Sequence, residues 1–330
     1  MRGFWAGLRG HVIVLCALLG CAVWTEPSRA QSSRPITLVV PFAAGGPTDT
    51  LARILSERIA AELHTTIVVE NVAGASGSIA GARVARATPD GTTITIGHWG
   101  THVLNGAIFK LPYDVIADFE PVATIAMGTQ LIVGRKSLEA SNLKEMIAWL
   151  KANPGKATAG TAGAGTGAHV AGVFFKEKTG TDFQFIPYRG AGPAMIDLVA
   201  GQIDIMFDQA SNSLPQYKNG AIKAFAVTSP TRLASAPDVP TVDEAGLPGL
   251  YISYWHGIWA PKNTPKEIVT KLNAAVVAVL ADASVKQRFG ELGQEIPPPE
   301  QQTPAALAAF QKAETEKWWP IVKAADIKPE

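Results

Sequence analysis

Cysteine is all but missing from this chain. Its two cysteines, Cys16 and Cys21, both fall within the first 30 of 330 residues. If that segment is removed, no disulfide, thiol nucleophile or cysteine metal site remains. A charge excess is missing too: 29 basic against 28 acidic residues give a net of +1, with no lysine–arginine run. That balance excludes the electrostatic footprint of a nucleic-acid binder. Enzyme signatures are equally scarce, with no Gly-x-Ser-x-Gly elbow, no phosphate-loop Gly-Lys-Ser/Thr and no His-Glu-x-x-His. Of six histidines, His98 and His102 are the one close pair, and they read as satisfied structural residues rather than metal ligands. No metal and no cofactor are expected.

What is present begins with the N-terminus. Arg2 and Arg9 precede an apolar stretch from Val12 to Trp24, and the segment closes on Ser28-Arg29-Ala30. An apolar run of that length is too short for a bilayer core of roughly 30 Å. With small residues at both cleavage positions, residues 1–30 read as an export signal cut after Ala30. Two other readings stand beside it: a buried N-terminal helix, and a lipoprotein signal "LLGC" that leaves Cys21 as a lipidated anchor. Cleavage after Ala30 leaves 26 basic and 27 acidic residues, a net of −1.

Downstream, the hydrophobic periods alternate. "PITLVVPF" is apolar throughout, as expected of a strand buried on both faces in a parallel sheet. Leu51, Ile54, Leu55, Ile59 and Leu63 then mark one face of a helix opened by Pro47. "TTIVVEN" completes a βαβ unit over residues 36–71. "TTITIGHWG" is a further strand. From "LKEMIAWLKANPGK" the order restarts as helix, strand end, glycine corner and helix, with Val170, Val173 and Phe174 on one side and Gly180 as its left-handed cap. "DFQFIPY", "QIDIMFD" and "IKAFAVTS" are strands. Thr264-x-x-Glu267 with Pro265, and Thr303-Pro304, are helix starts, the first read as a capping box. The order implies an α/β fold with mostly parallel strands.

Glycine is concentrated where strands meet helices. "PFAAGGPTD" and "GTAGAGTGA" each lie between a strand and a helix N-terminus. There about four N–H groups lack intrahelical partners and the helix dipole leaves about half a positive charge. Glycine removes the side chains that would keep a ligand off that backbone. Either these are ordinary tight turns, or they face each other and hold a small anion. "GAGTGA" also matches a Gly-x-Gly-x-x-Ala dinucleotide fingerprint. The strand before it is poor, and the following strand ends in Tyr188-Arg189 rather than an acid, which argues against a nicotinamide cofactor.

Taken as a set, "PFAAGGPTD", "NVAGASGSIAGARVARATPDG" and "PYRGAGPAMIDLVAGQIDIMFD" resemble the Bug family, the extracytoplasmic solute receptors of tripartite tricarboxylate transporters. The likeness extends over nearly all the chain after the signal, including "GTHVLNGAIF" and "APKNTPKEIVTKLN". It implies a two-lobed periplasmic binding protein of the type II-like, Venus-flytrap kind, in which mixed, mostly parallel sheets flank a ligand cleft. Lobe 1 would take residues 31–131 and 254–330, and lobe 2 residues 132–253. The implied ligand is a small carboxylate (dicarboxylate, amino acid or aromatic acid), and the implied function is its delivery by a monomer to large and small permease subunits.

Carried onto this sequence, the resemblance places Phe42, Ala43, Ala44, Gly45 and Gly46 on one wall, with Ser76 and Gly77 nearby. Thr161, Ala162, Gly163, Gly165 and Thr166 form the other wall, with Tyr188, Arg189 and Gly190 beside it. Asp49 is expected to cap its own helix or orient its loop rather than touch ligand charge, Asp208 to face the cleft or play a structural part, and Arg189 to brace its loop rather than pair with the carboxylate directly. The second loop departs from the family pattern, carrying glycine and alanine where serine hydroxyls often help, so ligand identity does not carry over. Presentation of ligand to a membrane sensor is the alternative function. An exported hydrolase is a further alternative, opposed by the missing nucleophile and base.

Overall fold

The computed structural model describes residues 34–328; the export-signal reading lies outside them. The first βαβ unit is β1 (Ile36–Val40), α1 (Pro47–Leu63) and β2 (Ile67–Asn71), with β1 and β2 parallel. Pro47 supplies the preset φ of a first helical position. Leu51, Leu55, Ile59 and Leu63 are buried one turn apart, each worth about 1.5–3 kcal/mol where burial is complete. The helix stops at His64, which turns left-handed at φ 49°. After α2 (Ser78–Ala85), β3 (Thr93–His98) joins the other edge of β1, also parallel. A π-helical turn, Gly100–Leu104, runs into α3 (Asn105–Ile108).

The next strand, β4 (Phe119–Arg135), is 17 residues long and belongs to two sheets. Beyond it come α4 (Leu143–Ala152), β5 (Thr158–Thr161), α5 (Gly167–Thr179), β6 (Gln184–Pro187), α6 (Ala191–Val199), β7 (Ile205–Gln209), α7 (Ala210–Lys218) and β8 (Ile222–Val227). The chain then returns through β9 (Ser253–Pro261), α8 (Lys266–Ala281), α9 (Ala283–Glu291), β10 (Gln294–Glu295) and α10 (Pro304–Ala324). The spatial order is β2-β1-β3-β9-β4-β7-β5-β6, with β8 and β10 also on β4. Pairing is parallel within β2-β1-β3 and within β7-β5-β6, and antiparallel where β9 and β4 join them. Phe119 to Thr129 pair with β9, whereas Gln130 to Gly134 pair with β7.

Several helix boundaries follow the sequence, and one does not. Gly180 caps α5 at φ 63°, and Thr303 Oγ1 accepts from Ala306 N at the start of α10. The capping box at Thr264 is not formed. Pro265 itself is the residue before α8, and the Thr264 hydroxyl donates to the Pro261 carbonyl at 2.7 Å. The side-chain box forms instead at α4, where Asn142 accepts from Glu145 N and Glu145 accepts from Ser141 N. On α5 the fully buried aromatic is Phe175, with Phe174 only partly covered.

Candidate functional site

The first glycine corner, Pro41 to Gly46, is set by the residues under it. Gly45 stands at φ 83°, a left-handed conformation that only glycine takes without strain. Its N–H donates to Asp49 Oδ2 at 2.9 Å, and Arg53 Nε donates to the same oxygen at 2.9 Å. Asn71 Nδ2 donates to Asp49 Oδ1 and to the Phe42 carbonyl, both at 2.9 Å. Burial raises the Asp49 pKa, but the Arg53, Gly45 and Asn71 donors outweigh it and hold the carboxyl below its ordinary value. Asp49 is thus a buried anion turned inward on its own loop. Behind the corner, Phe42 stacks on His98 with ring centres 5.0 Å apart.

The second corner, Thr161 to Gly167, braces itself in a similar way. Gly163 and Gly165 have φ of 122° and 72°. Thr166 Oγ1 donates to the Gly163 carbonyl at 2.7 Å, the Gly163 N–H donates to Thr161 Oγ1 at 3.3 Å, and the Gly165 N–H donates to His169 Nδ1 at 2.9 Å. Both loops lead directly into helices of 17 and 13 residues, α1 and α5, so the positive ends of two dipoles lie at them.

These corners meet. The Ala43 N–H donates to the Arg189 carbonyl at 3.0 Å, and Ser76 Oγ donates to the Ala164 carbonyl at 2.5 Å. A Cβ on Gly163 would stand 2.7 Å from Ser76 Oγ, and one on Gly190 3.1 Å from Ala43 N. A Cβ on Gly192 would be 2.9 Å from both Gly45 C and Gly46 N. Ser76 is itself held left-handed at φ 53°, a strained state for a serine that costs on the order of 1 kcal/mol. Beside it, a Cβ on Gly77 would meet Thr101 at 2.7 Å. The structure therefore brings Phe42 to Gly46, Ser76, Gly77, Thr161 to Thr166 and Gly190 into one region. Arg189 contributes its carbonyl while its side chain is exposed. Tyr188 turns its hydroxyl to Asp197 at 2.6 Å, where burial and that carboxylate push its pKa to about 12.

Beyond the second corner lies a cavity of about 30 Å³ whose wall includes Ala162, Thr166 and Asp208. Asp208 ends up 2% exposed, with Oδ2 accepting from Asn212 Nδ2 at 2.8 Å and Ser213 Oγ at 2.6 Å. Burial pushes its pKa to about 7 despite those donors. Four further polar residues line the same cavity and escape the sequence reading: His98, Gln130, Gln209 and Tyr254. The available signal is position, since His98 ends β3 and Asp208-Gln209 end β7, and open α/β sheets place ligands at the carboxyl ends of parallel strands. The Gly100 N–H donates to His98 Nδ1 at 2.8 Å, which leaves the neutral ring with its proton on Nε2. Burial depresses the His98 pKa to about 4, and His256, 5.5 Å from it, is held down by burial and by His98. Among the described residues there is no cluster of three or more His, Cys, Asp or Glu suited to a metal.

The sequence profile described as the tripartite tricarboxylate transporter family receptor matches residues 51–327. A protein of Agrobacterium vitis, named as a UPF0065 protein of the TAR-I ttuE-ttuC' intergenic region, is 39% identical over 314 residues, covering 94% of this chain and 91% of that one. The solved structure of the periplasmic binding protein BugD superposes with a TM-score of 0.86 at 40% identity, over 90% of this chain and 99% of that one. MatC from Rhodopseudomonas palustris, solved with bound malate, gives 0.84 at 40% identity, over 88% and 99%. The two-lobed binding-protein fold of these neighbours is the fold seen here.

Proposed function

The chain belongs to the tripartite tricarboxylate transporter receptor family, whose members are periplasmic solute receptors rather than enzymes, and we propose that it captures a small carboxylate between its two glycine corners. The carboxylate would lie against the remaining backbone amides of Phe42 to Gly46 on one side and Thr161 to Thr166 on the other, those of Ala43, Gly45, Gly163, Gly165 and Thr166 being engaged within the fold. The observation that carries this reading is that the two corners, each at a helix N-terminus, are drawn into one region by shared neighbours, Gly77 packing under Phe42 while Ser76 Oγ donates to the Ala164 carbonyl. Amides and dipoles arranged in that way favour an anion with no cationic side chain at the site. Neither Asp49 nor Tyr188 needs to touch the ligand, since both are engaged elsewhere.

The lobes divide, on this proposal, into residues 31–131 with 254–330 and residues 132–253. The switch of β4 from β9 to β7 between Thr129 and Gln130 supports that division. Cleavage after Ala30 and delivery by a monomer to the large and small permease subunits complete the reading. The mass of the exported chain separates Ala30 cleavage from lipidation at Cys21.

The test is a set of thermal melts of residues 31–330 against mono-, di- and tricarboxylates, amino acids and aromatic acids, with the matching amides as controls. A ligand at a hundred times its Kd adds about 2.7 kcal/mol, which raises the midpoint by roughly 4–8 °C for a chain of this size. A rise with one acid and none with its amide is the expected result. Equal rises with acid and amide would overturn the carboxylate reading.

A further inference from the structure

Asp208 is a buried acid on the wall of the site, beside Ala162 and Thr166 of the second corner. Its Oδ2 accepts from Asn212 Nδ2 and Ser213 Oγ of α7, and no lysine or arginine lines the cavity. The free space is about 30 Å³, room for one small polar group. A carboxylate at this corner therefore stands roughly 4–6 Å from Asp208 with no counter-ion between them. The N-termini of α5, α6 and α7 reach the wall at Gly167, Ala191 and Gln209. About half a positive charge at each falls short of two full negative charges.

The other titratable groups around Asp208 keep one state near neutral pH. On the wall these are His98 of β3 and Tyr254 of β9; His256 of β9 packs on both rings, and His169 of α5 accepts from Gly165 N at the corner. Burial depresses His98 and His169 to about 4, lowers His256 and raises Tyr254. Arg135 of β4, Lys176 of α5, Asp197 of α6 and Tyr217 and Lys218 of α7 lie off the wall. Trp99, Gln130 and Gln209, which line it, carry no charge at any of these pH values.

We propose that capture is linked to protonation of Asp208: the ligand's carboxylate enters together with one proton from solvent, which neutralises Asp208 and returns to solvent on release. The inference rests on the carboxylate reading of the glycine corners and deepens it. Asp208 is poised for the exchange, because burial raises its pKa to about 7 against its two donors. A second negative charge at the same wall moves it higher still. At about pH 6 the group already holds its proton, and affinity is near its maximum. Above about pH 7 each anion must bring a proton in, so affinity falls as pH rises. The fall levels off once the liganded group loses its own proton.

The experiment titrates the mature chain by calorimetry with butyrate, succinate, glutamate and benzoate from pH 6 to pH 8.5, with butyramide and benzamide as uncharged controls. Buffers of different ionisation enthalpy give the protons taken up, after subtraction of each probe's own titration. For an acid that binds, affinity at pH 8.5 should be fivefold or more below that at pH 6, with about half a proton or more taken up at pH 7.5. Asp208→Asn keeps an acceptor for Asn212 and Ser213 but cannot ionise. Its affinity should stay level within twofold across the range, with proton uptake near zero, and melting at pH 6 checks that it folds. Ser213→Ala removes one donor to the ionised form, so the fall in affinity should move to higher pH. A level profile in the parent, a fall that persists in Asp208→Asn, or an unmoved fall in Ser213→Ala overturns the proposal and leaves the carboxylate reading standing. An amide that binds as well as its acid, or a panel in which no acid binds at pH 6, fails that reading, and the proton link falls with it.

Discussion

At Asp49 a carboxylate stands in the first turn of α1, close to where an anion would dock, and its three donors explain why it is tolerated there. Gly45, Arg53 and Asn71 share its charge; Gly45 and Arg53 are exposed, so Asp49→Ala leaves them to water and removes the brace that holds the loop. The expected cost is about 1–2 kcal/mol, a fall in melting temperature of roughly 3–6 °C, with carboxylate affinity little changed. Lost binding at an unchanged melting temperature would put Asp49 on the ligand instead. Asp208 behaves in the opposite sense. Its folded pKa, about 7, lies above the unfolded value of about 3.9, so the folded chain holds a proton that the unfolded chain releases between those values. Stability from this group is present below about pH 4 and is lost as pH rises to about 7. Asp208→Asn should therefore raise the melting temperature at pH 8 and leave it nearly unchanged at pH 4. A gain of equal size at both values would mean that packing, not charge, sets the effect.

Among the elements, α6 and the first glycine corner meet glycine to glycine. Gly192 lies inside a helix, where alanine is the better helix former by about 1 kcal/mol, yet its added Cβ would strike Gly45 and Gly46 backbone at 2.9 Å. Gly192→Ala should fold at least as well as the parent and keep α6 and the first corner apart. Small-angle scattering would then show a larger radius of gyration, and ligand would bind more than tenfold weaker; an unchanged radius with full affinity would refute a closing contact. Such cross-sheet meetings are hard to read in a sequence, because Gly45 and Gly192 share no local pattern. What was legible is local: the βαβ unit over residues 36–71, Gly180 as a cap, Thr303 as a start, and glycine ahead of two helices. The sequence reading passes over β4, since Pro121 and Gly128 punctuate it like a loop and bulges at Pro121/Ala123 and Thr124/Ala126 break its alternation. It also treats His98 as structural, because Phe42 and His256, the rings packed on it, are remote in the chain. Gln130 gives no signal at all until β4 is placed.

For the whole molecule, the buried histidines set the response to acid. His98 and His169 are depressed to about 4 and His102 to about 3 by burial, and His256 is lowered as well. Each stays neutral in the fold while the unfolded chain takes up a proton near pH 6.5, so stability should fall as pH drops from about 6.5 to about 4. Asp208 opposes this with a single group, and the histidines outnumber it. Melting followed from pH 8 to pH 4 should show a net decline below 6.5, and a flat profile would mean that the rings protonate without unfolding. The double membership of β4 reaches further, into what mutation can do to the gene. A residue inserted in a surface loop is absorbed locally, but one inserted in Phe119–Arg135 shifts the register of the strand before it against the strand after it, and so the ladder with β9 against that with β7, turning the later side chains of the strand to the opposite face. A scan of single-codon insertions and deletions should find that segment silent of survivors, a stretch where the two halves of the protein are bound to inherit their frame as one.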